Sequence, residues 1–375
     1  MRIGLDGLSL TQLKTGVGVY TFELARALAT HAPNDEFQLI SPKPFYLAGS
    51  ADSMPPNLSL AYSKPNLLGR RWWSLGMPSY LRRNSIALFH GTNFEVPLRG
   101  DCPSVVTIHD LSLLLHSSTH KTRAVLRGRL RLPQMARRAT LVITDSEPVR
   151  SEVCEHLGLA PEKVIAIPLA PQPEFTPMPP QFTADARKRW GVEDEFVLYA
   201  GTVEPRKNLI TLLRAFEEVL RTTSLRPQLV IAGKLGWKEN DALVDMEQSR
   251  FKDRIKITGY VTDADLCALY SSCRVFVYPS IYEGFGLPPL EAMACGAPVI
   301  ASAVPSVTSD VVRVIAPKDV QALARNIVEL LTDAKVRESL SAAGLKHAAK
   351  FSWAQTAMLT REVYQEALTR SALKR

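Results

Sequence analysis

The sequence lacks any apolar run of the roughly 18 residues that a membrane-spanning helix needs. It has only five cysteines, an odd number at wide spacings, which indicates neither a disulfide framework nor a zinc site. Residues 1–10 carry Asp6 within an apolar run and show no cleavage site, so we expect a first strand and not a signal peptide. These absences predict a cytoplasmic protein.

The composition also lacks the signs of disorder, since 46% of the residues are hydrophobic and 22% are charged. A chain of 375 residues is too long for one ordinary core and predicts two domains of roughly 150 to 200 residues each. The formal net charge of +8 favours an anionic partner. Charge alone leaves nucleic acid, anionic lipid and a phosphorylated ligand open.

Strands and helices alternate along both halves of the chain. In the first half we predict strands at 2–8, 37–40, 87–90, 104–108 and 141–144. In the second half we predict strands at 196–200, 228–232, 255–257, 274–278 and 298–301, and helices at 209–220, 265–271, 320–331 and 334–351. This pattern predicts an α/β protein with two doubly wound, Rossmann-like domains.

Six prolines in residues 167–180 favour a stiff linker without regular structure. We therefore place one domain at 1–172, a second at 173–353 and a last helix at 354–375, with Ser352 as its N-cap. Such domains bind ligands at the carboxyl ends of their strands, so we expect a cleft there.

Two adjacent cations, Arg206 and Lys207, follow the predicted strand 196–200 and open the next helix. The dipole of a helix N-terminus prefers negative charge, so a bound anion would stabilise this arrangement. The alternative is that Arg206 and Lys207 are exposed, and that solvent and Glu204 weaken the repulsion between their charges and the helix dipole.

Residues 278–299 read as a strand end, a loop with Gly284 and Gly286, and a helix from Pro288 to Gly296. Glycines allow a ligand to approach the backbone, and the N–H groups of a helix start attract negative charge. Glu283 before the loop and Glu291 in the first helical turn are predicted to face one ligand. The alternative is that both glutamates are solvated.

Glycines and histidines mark three further strand ends. Gly16, Val17 and Gly18 are predicted to form a loop after the first strand, but the third glycine of a dinucleotide fingerprint is missing. His109 follows the strand 104–108, where ligands are met in such sheets, and His90-Gly91-Thr92-Asn93 after another strand is a weaker candidate for the acceptor side.

Asp263 and Asp265 have the spacing of a metal-binding Asp-x-Asp. Thr262, three residues before Asp265, instead favours a helix cap. We therefore predict no metal site here.

Residues 121–138 contain seven Lys and Arg and no acid. Leu126, Leu130 and Leu132 interleave with the arginines, as in a helix that lies on an anionic bilayer. The alternative is a solvated basic helix whose leucines lie in the core. Since no recognition module is evident, we expect no nucleic acid as a partner.

Glu-Gly-Phe-Gly-Leu-Pro-Pro-Leu-Glu at 283–291, with its flanking Tyr-Pro-Ser and Ala-Cys-Gly-Ala-Pro-Val, resembles the donor signature of the retaining glycosyltransferases of family 4. Glu-Pro-Arg-Lys-Asn at 204–208 and Thr-Ile-His-Asp-Leu at 107–111 are similar to two other segments of that family. The resemblance extends over nearly the whole chain and implies the GT-B fold, in which the last helix returns to the N-terminal domain.

The resemblance also implies a role for each candidate residue. Arg206 and Lys207 would meet the donor diphosphate, Glu291 would hold the ribose, and Glu283 would lie near the sugar. His109 would contact the donor sugar or a neighbouring backbone carbonyl. The remaining donor contacts would come from the backbone, at Gly16, Val17, Gly18, Gly259, Tyr260, Val261, Gly284, Phe285, Gly286 and Leu287.

Two segments depart from the family. Thr202 stands where many relatives carry an arginine, which leaves Arg206 and Lys207 to bind more of the diphosphate charge. Residues 303–311 lack the usual Glu and Gly-Asp, which puts contacts behind the donor site in doubt.

These likenesses predict a retaining, metal-independent hexosyltransferase that acts on a glycan or lipid-linked glycan. The basic residues 121–138 add the expectation of peripheral contact with an anionic membrane. Mannose from GDP-mannose is the preferred donor, because the N-terminal Gly-Leu-Asp-Gly and Thr-Gly-Val-Gly-Val-Tyr-Thr resemble bacterial polysaccharide mannosyltransferases. A nucleotide-sugar epimerase and a non-enzymatic protein that binds anionic surfaces or nucleic acid are the alternatives.

Overall fold

The computed structural model describes residues 1–13, 15–46, 54–64, 71–120, 122–234 and 246–373. The chain divides into two compact units. The first unit is Met1–Leu169 with Ser352–Arg375, and the second is Ala170–Phe351. Each unit contains one parallel sheet with helices around it, which confirms the predicted fold class.

The first unit contains a seven-stranded sheet in the order β3-β2-β1-β4-β5-β6-β7. Its strands are β1 (Arg2–Asp6), β2 (Glu36–Ser41), β3 (Leu58–Tyr62), β4 (Leu88–Gly91), β5 (Ser104–Ile108), β6 (Leu141–Thr144) and β7 (Val164–Ala166). Its helices are α1 (Gly16–His31), α2 (Met77–Arg83), α3 (Ser112–Leu115), α4 (Thr122–Arg138) and α5 (Glu147–Leu157), and the C-terminal helix joins them. The sequence missed the edge strands β3 and β7, because β3 is largely exposed and β7 has only three residues.

Helix α1 begins at Gly16, so Gly16–Gly18 is its first turn and not the predicted loop. Thr15 precedes it as an extended N-cap residue. Glycine is not required for space at the start, since a Cβ on Gly16 would meet nothing within 4 Å. The first N–H groups of a helix have no partner within it, so this turn still presents backbone donors.

The second unit contains a six-stranded sheet in the order β10-β9-β8-β11-β12-β13. Its strands are β8 (Phe196–Ala200), β9 (Gln228–Ala232), β10 (Ile255–Gly259), β11 (Val275–Tyr278), β12 (Val299–Ser302) and β13 (Arg313–Ile315). The helices are α6 (Pro180–Trp190), α7 (Leu209–Thr222), α8 (Asp263–Ser272), α9 (Leu287–Ala294), α10 (Val320–Thr332) and α11 (Ala334–Ala348). Every residue of β8, β9 and β11 is buried, as expected for parallel strands covered on both faces.

Residues 167–179 contain neither helix nor strand, as their prolines predict. Pro180 starts helix α6, which the sequence analysis missed. Proline is tolerated in the first helical turn, where its missing N–H costs nothing.

The last helix, α12 (Trp353–Ala372), belongs to the first unit. Ser352 is its N-cap, as predicted, and accepts a hydrogen bond from the N–H of Gln355. Helix α12 packs on α1 and β5, and Thr356 donates a hydrogen bond of 2.8 Å to the carbonyl of Pro168. Among the described helices, none is long and apolar enough to cross a bilayer.

Candidate active site

A short cationic turn follows strand β8 in the second unit. Arg206 and Lys207 lie in a single 3₁₀ turn, Pro205–Lys207, which ends before helix α7 begins at Leu209. The prediction that the two cations open the helix is therefore wrong by one turn. The break arises at Asn208, which adopts the left-handed conformation with φ 57°.

Asn208 is a buried anchor that the sequence analysis missed. Its side-chain amide donates to the carbonyls of Pro279, at 3.0 Å, and Pro317. Its Oδ1 accepts a 2.8 Å hydrogen bond from Thr211 of α7. These bonds hold the cationic turn against the loops that follow β11 and β13.

Glu283 is the centre of a buried ion cluster. One carboxylate oxygen accepts from Lys207 Nζ at 2.7 Å, from Ser280 Oγ at 2.5 Å and from the Tyr278 hydroxyl at 3.0 Å. The other lies 3.0 Å from an Arg206 guanidinium nitrogen. The Arg206 and Lys207 side chains are each 12% exposed, so the alternative of a solvated Arg-Lys pair is wrong.

The ionisation of this cluster follows from its pairing. Burial acts to raise the pKa of Glu283, but the charges of Lys207 and Arg206 and their hydrogen bonds outweigh burial and lower the pKa to about 2. Burial also lowers the pKa of Lys207, and Glu283 opposes that shift. Glu283 is therefore an ionised acceptor at neutral pH and is not suited to act as a general acid.

The cationic turn keeps donors for a ligand. Glu283 and Glu204 balance the two cations, with Glu204 2.9 Å from Arg206. Lys207 has three N–H donors, and among the described residues Tyr278 and Glu283 take two of them. The third N–H donor of Lys207 has no hydrogen-bond partner among the residues that the structure describes.

The glycine loop before α9 has a tight geometry. Gly286 has φ 98°, and a Cβ there would lie 2.8 Å from Val304 and 2.9 Å from Ser306. Ser306 donates from its N–H to the carbonyl of Phe285 at 2.9 Å and from its hydroxyl to the carbonyl of Gly286 at 2.7 Å. Residues 303–311 therefore support the loop from behind despite their departure from the family pattern.

Glu291 lies in the second turn of α9 and not in the first, because the helix begins at Leu287. Glu291 is only 7% exposed, and Glu283 is buried in its ion cluster. The alternative that both glutamates are solvated is therefore wrong. Gly284 continues the chain from Glu283 toward the glycine loop. The two carboxylates thus differ in setting, since Glu283 binds the cationic turn and Glu291 is carried by α9.

Glycines at the carboxyl ends of β8, β9 and β10 (Gly201, Gly233 and Gly259) allow close contact between the three backbone segments. A Cβ on Gly233 would lie 1.9 Å from the carbonyl oxygen of Gly201, and the N–H of Gly233 donates to the carbonyl of Gly259 at 2.8 Å. After Gly259, Tyr260 is 42% exposed and Val261 is buried. The Lys234 ammonium lies over the Tyr260 ring, 5.5 Å from its centroid.

Thr262 caps helix α8, as predicted, by accepting from the N–H of Asp265 at 3.1 Å. The Asp265 carboxylate pairs with Arg189 at 2.7 Å, so it has a structural role. Within the described ranges no three His, Cys, Asp or Glu side chains form a group that could hold a metal.

His109 lies at the end of β5 in the first unit. Its Nδ1 is 2.8 Å from Asp145, and its Nε2 donates to the carbonyl of Thr92 at 2.9 Å. Burial acts to lower the pKa of His109, but Asp145 and the hydrogen bonds outweigh burial and raise it. Both partners are acceptors, and the Tyr20 ring lies edge-on to the His109 ring with the ring centroids 4.7 Å apart.

The sequence analysis did not identify Asp145. This residue directly follows β6, the neighbour of β5 in the sheet. Its position at the end of an apolar strand could have indicated a site residue.

His90 does not reach a ligand surface. It lies within β4 and is fully buried, with Nδ1 2.6 Å from the Tyr364 hydroxyl and Nε2 2.8 Å from Thr107. Burial and the nearby His109 charge lower the pKa of His90 to about 3, so it is neutral. The acceptor-side prediction for His90 is wrong, because the strand continues to Gly91 and carries the ring into the core.

Helix α4 carries the predicted basic stretch, of which Lys121 lies outside the described residues. Leu126 and Leu130 are 62% and 68% exposed, whereas Leu132 is buried. The alternative with all three leucines in the core is therefore wrong for the first two.

Known proteins resemble both halves of this chain. Residues 14–171 match Glycosyltransferase Family 4, and residues 181–347 match Glycosyl transferases group 1. O-antigen chain mannosyltransferase B of Escherichia coli is 33% identical over 371 residues, which cover 94% of this chain and 96% of that protein.

Two solved structures have the same fold. Sucrose-phosphate synthase from Thermosynechococcus elongatus superposes with a TM-score of 0.75 at 21% identity, over 99% of this chain and 100% of that chain. HepE from Anabaena, in complex with UDP and glucose, superposes with a TM-score of 0.76 at 19% identity, over 98% of this chain and 100% of that chain. Together with the matched families and the Escherichia coli relative, they show that this chain is a GT-B glycosyltransferase of family 4, group 1.

Proposed function

We propose that this chain is a retaining hexosyltransferase that moves mannose from GDP-mannose to a glycan of a cell-surface polysaccharide. The observation that carries the proposal is the buried cluster of Arg206, Lys207 and Glu283 beside the glycine-capped helix α9. The 33% identity with an O-antigen chain mannosyltransferase supports the sugar and the type of product.

The donor diphosphate binds at the cationic turn. Lys207 contributes its third N–H donor, and the backbone N–H groups at Phe285–Leu287 lie at the start of α9, where a helix attracts anions. Glu291 holds the ribose, and the base lies along Gly259–Val261. These groups stabilise the departing diphosphate in the place of a metal ion.

Retention is proposed without a protein nucleophile. Both oxygens of the Glu283 carboxylate are already bound by cations, so a covalent bond to the sugar would break the cluster. The acceptor hydroxyl therefore attacks from the face that the diphosphate leaves, and a phosphate oxygen takes its proton.

We also propose that helix α4 makes peripheral contact with an anionic membrane, at the cytoplasmic side where nucleotide sugars are found. Its arginines supply the charge, and the exposed Leu126 and Leu130 supply apolar area. This contact would bring the enzyme to a lipid-linked acceptor at the membrane surface.

Thermal unfolding in the presence of nucleotides tests the donor assignment. A ligand at 100 times its Kd stabilises the folded state by about 2.7 kcal/mol, so binding is readily seen. We expect GDP and GDP-mannose to raise the melting temperature of the wild type and not that of Lys207→Ala. The control Lys252→Ala removes an exposed lysine of the same unit. An equal response of Lys207→Ala, or a response to UDP alone, would contradict the assignment.

A further inference from the structure

Two buried cysteines of the second unit lie side by side. Cys267 belongs to helix α8, and Cys295 directly follows helix α9. Their sulfur atoms are 3.5 Å apart, and the two residues are 1% and 2% exposed. Both are free thiols, and neither takes part in the donor contacts proposed above. The two thiols therefore form a pair to which the donor site gives no role.

The segment that joins the two units covers the cysteine pair. The Cys267 sulfur lies 3.1 Å from the carbonyl oxygen of Thr176 and 3.6 Å from that of Glu174. Both covering residues are exposed and belong to neither a helix nor a strand. Exposed irregular backbone opens more readily than packed helices do, so a small oxidant reaches the sulfurs from this side.

The two thiols differ in acidity. The hydrogen bond between them lowers the pKa of Cys267 to about 7 and raises the pKa of Cys295, which burial raises further. The thiolate is the nucleophilic form of cysteine. Cys267 is therefore the thiol that attacks an oxidant, and Cys295 is the neighbour that reacts with the oxidised product.

We propose that Cys267 and Cys295 form a reversible disulfide bond on exposure to hydrogen peroxide, and that this bond weakens the binding of the donor nucleotide. The geometry that carries the proposal is the contact between two buried sulfurs beneath an irregular segment. The effect on the donor rests on the proposed function, whereas the disulfide bond does not.

Hydrogen peroxide supplies the oxidising equivalents. The Cys267 sulfur attacks one peroxide oxygen, so that an S–O bond forms, the O–O bond breaks, and the other oxygen leaves as water with the thiol proton. The Cys295 sulfur then attacks the Cys267 sulfur, so that an S–S bond forms and the S–O bond breaks with loss of a second water. Both sulfurs are oxidised and the peroxide is reduced. A small thiol reverses the bond by exchange.

The disulfide bond acts on the donor groups through the two helices. A disulfide is about 2.05 Å long, so the sulfurs must approach each other by roughly 1.5 Å. Cys295 donates from its N–H to the carbonyl of Glu291 at 3.1 Å, so the turn that carries Glu291 moves with Cys295. Helix α8, which carries Cys267, begins two residues after Val261. Binding groups must be held to within about 0.5 Å, so this shift weakens donor binding.

Peptide mapping of the peroxide-treated full chain by mass spectrometry tests the disulfide bond. We expect peptides of the wild type to be joined through Cys267 and Cys295, and dithiothreitol to separate them. In Cys295→Ala, we expect Cys267 to remain a sulfenic acid that dimedone traps. In Cys267→Ala, we expect Cys295 to remain unmodified.

Cys273→Ala is the matched control. Cys273 is a buried thiol of the same unit, and its sulfur lies 3.3 Å from the carbonyl oxygen of Tyr270. We expect Cys273→Ala to form the disulfide bond as the wild type does. Melting temperatures show which variants are folded, and the mapping of the wild type does not depend on any of them.

Calorimetric titration with GDP measures the consequence of the disulfide bond. We expect the oxidised wild type to bind GDP about tenfold more weakly than the reduced wild type, because a displaced Glu291 loses its contact geometry. Dithiothreitol should restore the affinity. Cys267→Ala should bind GDP equally before and after peroxide treatment.

Two outcomes would overturn the proposal. One is a folded wild type whose peroxide-treated peptides are not joined through Cys267 and Cys295. The other is an oxidised, joined chain that binds GDP as tightly as the reduced chain does. If the reduced wild type binds no GDP, the donor assignment fails, and the peptide map still decides whether the disulfide bond forms. The two failures are therefore distinguishable.

Discussion

At the residue scale, Asn208 determines the path of the cationic turn. Its backbone requires a positive φ, and its side chain binds the carbonyls of Pro279 and Pro317. We expect Asn208→Gly, which keeps the backbone conformation, to lower the free energy of unfolding by about 2 kcal/mol through the lost buried hydrogen bonds. Asn208→Ala should cost a further 1 kcal/mol or so of backbone strain. Urea unfolding measures both, and a Gly variant as stable as the wild type would show that the side-chain bonds contribute nothing.

Lys207 is the residue on which turnover should depend most. Removing one group that stabilises a transition-state charge typically lowers the rate by a factor of about 10² to 10³. We expect Lys207→Ala to lower kcat at least tenfold, and the exposed Lys252→Ala to leave it unchanged. A steady-state assay of nucleotide release with acceptor measures this, and an unchanged kcat in Lys207→Ala would remove the lysine from the reaction.

Glu283 gives the second unit an acid-sensitive contact. Its pKa in the folded chain, about 2, is below the usual 4.5, so ionised Glu283 stabilises the fold above pH 4.5. A shift of this size corresponds to about 3 kcal/mol, which is lost as the pH falls through the folded-state pKa. We expect Glu283→Gln to be less stable at pH 7 and to lose less stability between pH 5 and pH 3. If the free energy of unfolding falls equally with pH in the wild type and in Glu283→Gln, the ion cluster does not stabilise the fold.

At the scale of elements, helix α9 depends on Gly286. A side chain there combines a disfavoured φ with contacts below 3 Å to Val304 and Ser306. We expect Gly286→Ala to destabilise the chain by more than 2 kcal/mol and to weaken GDP binding. Gly158→Ala is the control, because Gly158 has φ 61° but open space around it. Equal losses in the two variants would mean that close packing at Gly286 has no importance.

Helix α4 should bind membranes through charge and apolar area together. We expect the full chain to sediment with phosphatidylglycerol vesicles and not with phosphatidylcholine vesicles, and the binding to fall with salt. Leu126→Asp with Leu130→Asp should lower this binding more than tenfold. Leu373→Asp serves as the control, since Leu373 is 83% exposed on another part of the first unit. Equal binding to both lipids would exclude the electrostatic contribution.

Elements with strong local signals were predictable. Buried strands such as Phe196–Ala200 are continuous apolar runs between polar segments, and the observed bounds of this strand agree with the prediction. The start of α1 was not predictable from the sequence. Gly16 and Gly18 have a low helix propensity and favour a loop, whereas the packed helix begins at Gly16 and includes both residues. The strand β3 has apolar residues at alternate positions, Leu58, Leu60 and Tyr62, but only Leu58 is buried, and the strand has only five residues.

At the scale of the whole molecule, the motifs identified the family and the type of fold, whereas the partners of each site residue came from the structure. The sequence places Arg206 and Lys207 near an anion but does not show that Glu283, some 76 residues later, already pairs with them. Asp145 and Asn208 were missed for the same reason, since their bonds join segments that are distant in the chain.

The most direct test of the proposed function is NMR spectroscopy of a reaction of the full chain with GDP-mannose, ¹³C-labelled at C1, and neutral oligosaccharide acceptors. The account predicts that GDP appears in step with a new α-linked mannoside and that labelled donor is stable without acceptor. A β-linked product, conversion of the nucleotide sugar without acceptor, or the use of UDP-sugars in place of GDP-mannose would contradict it.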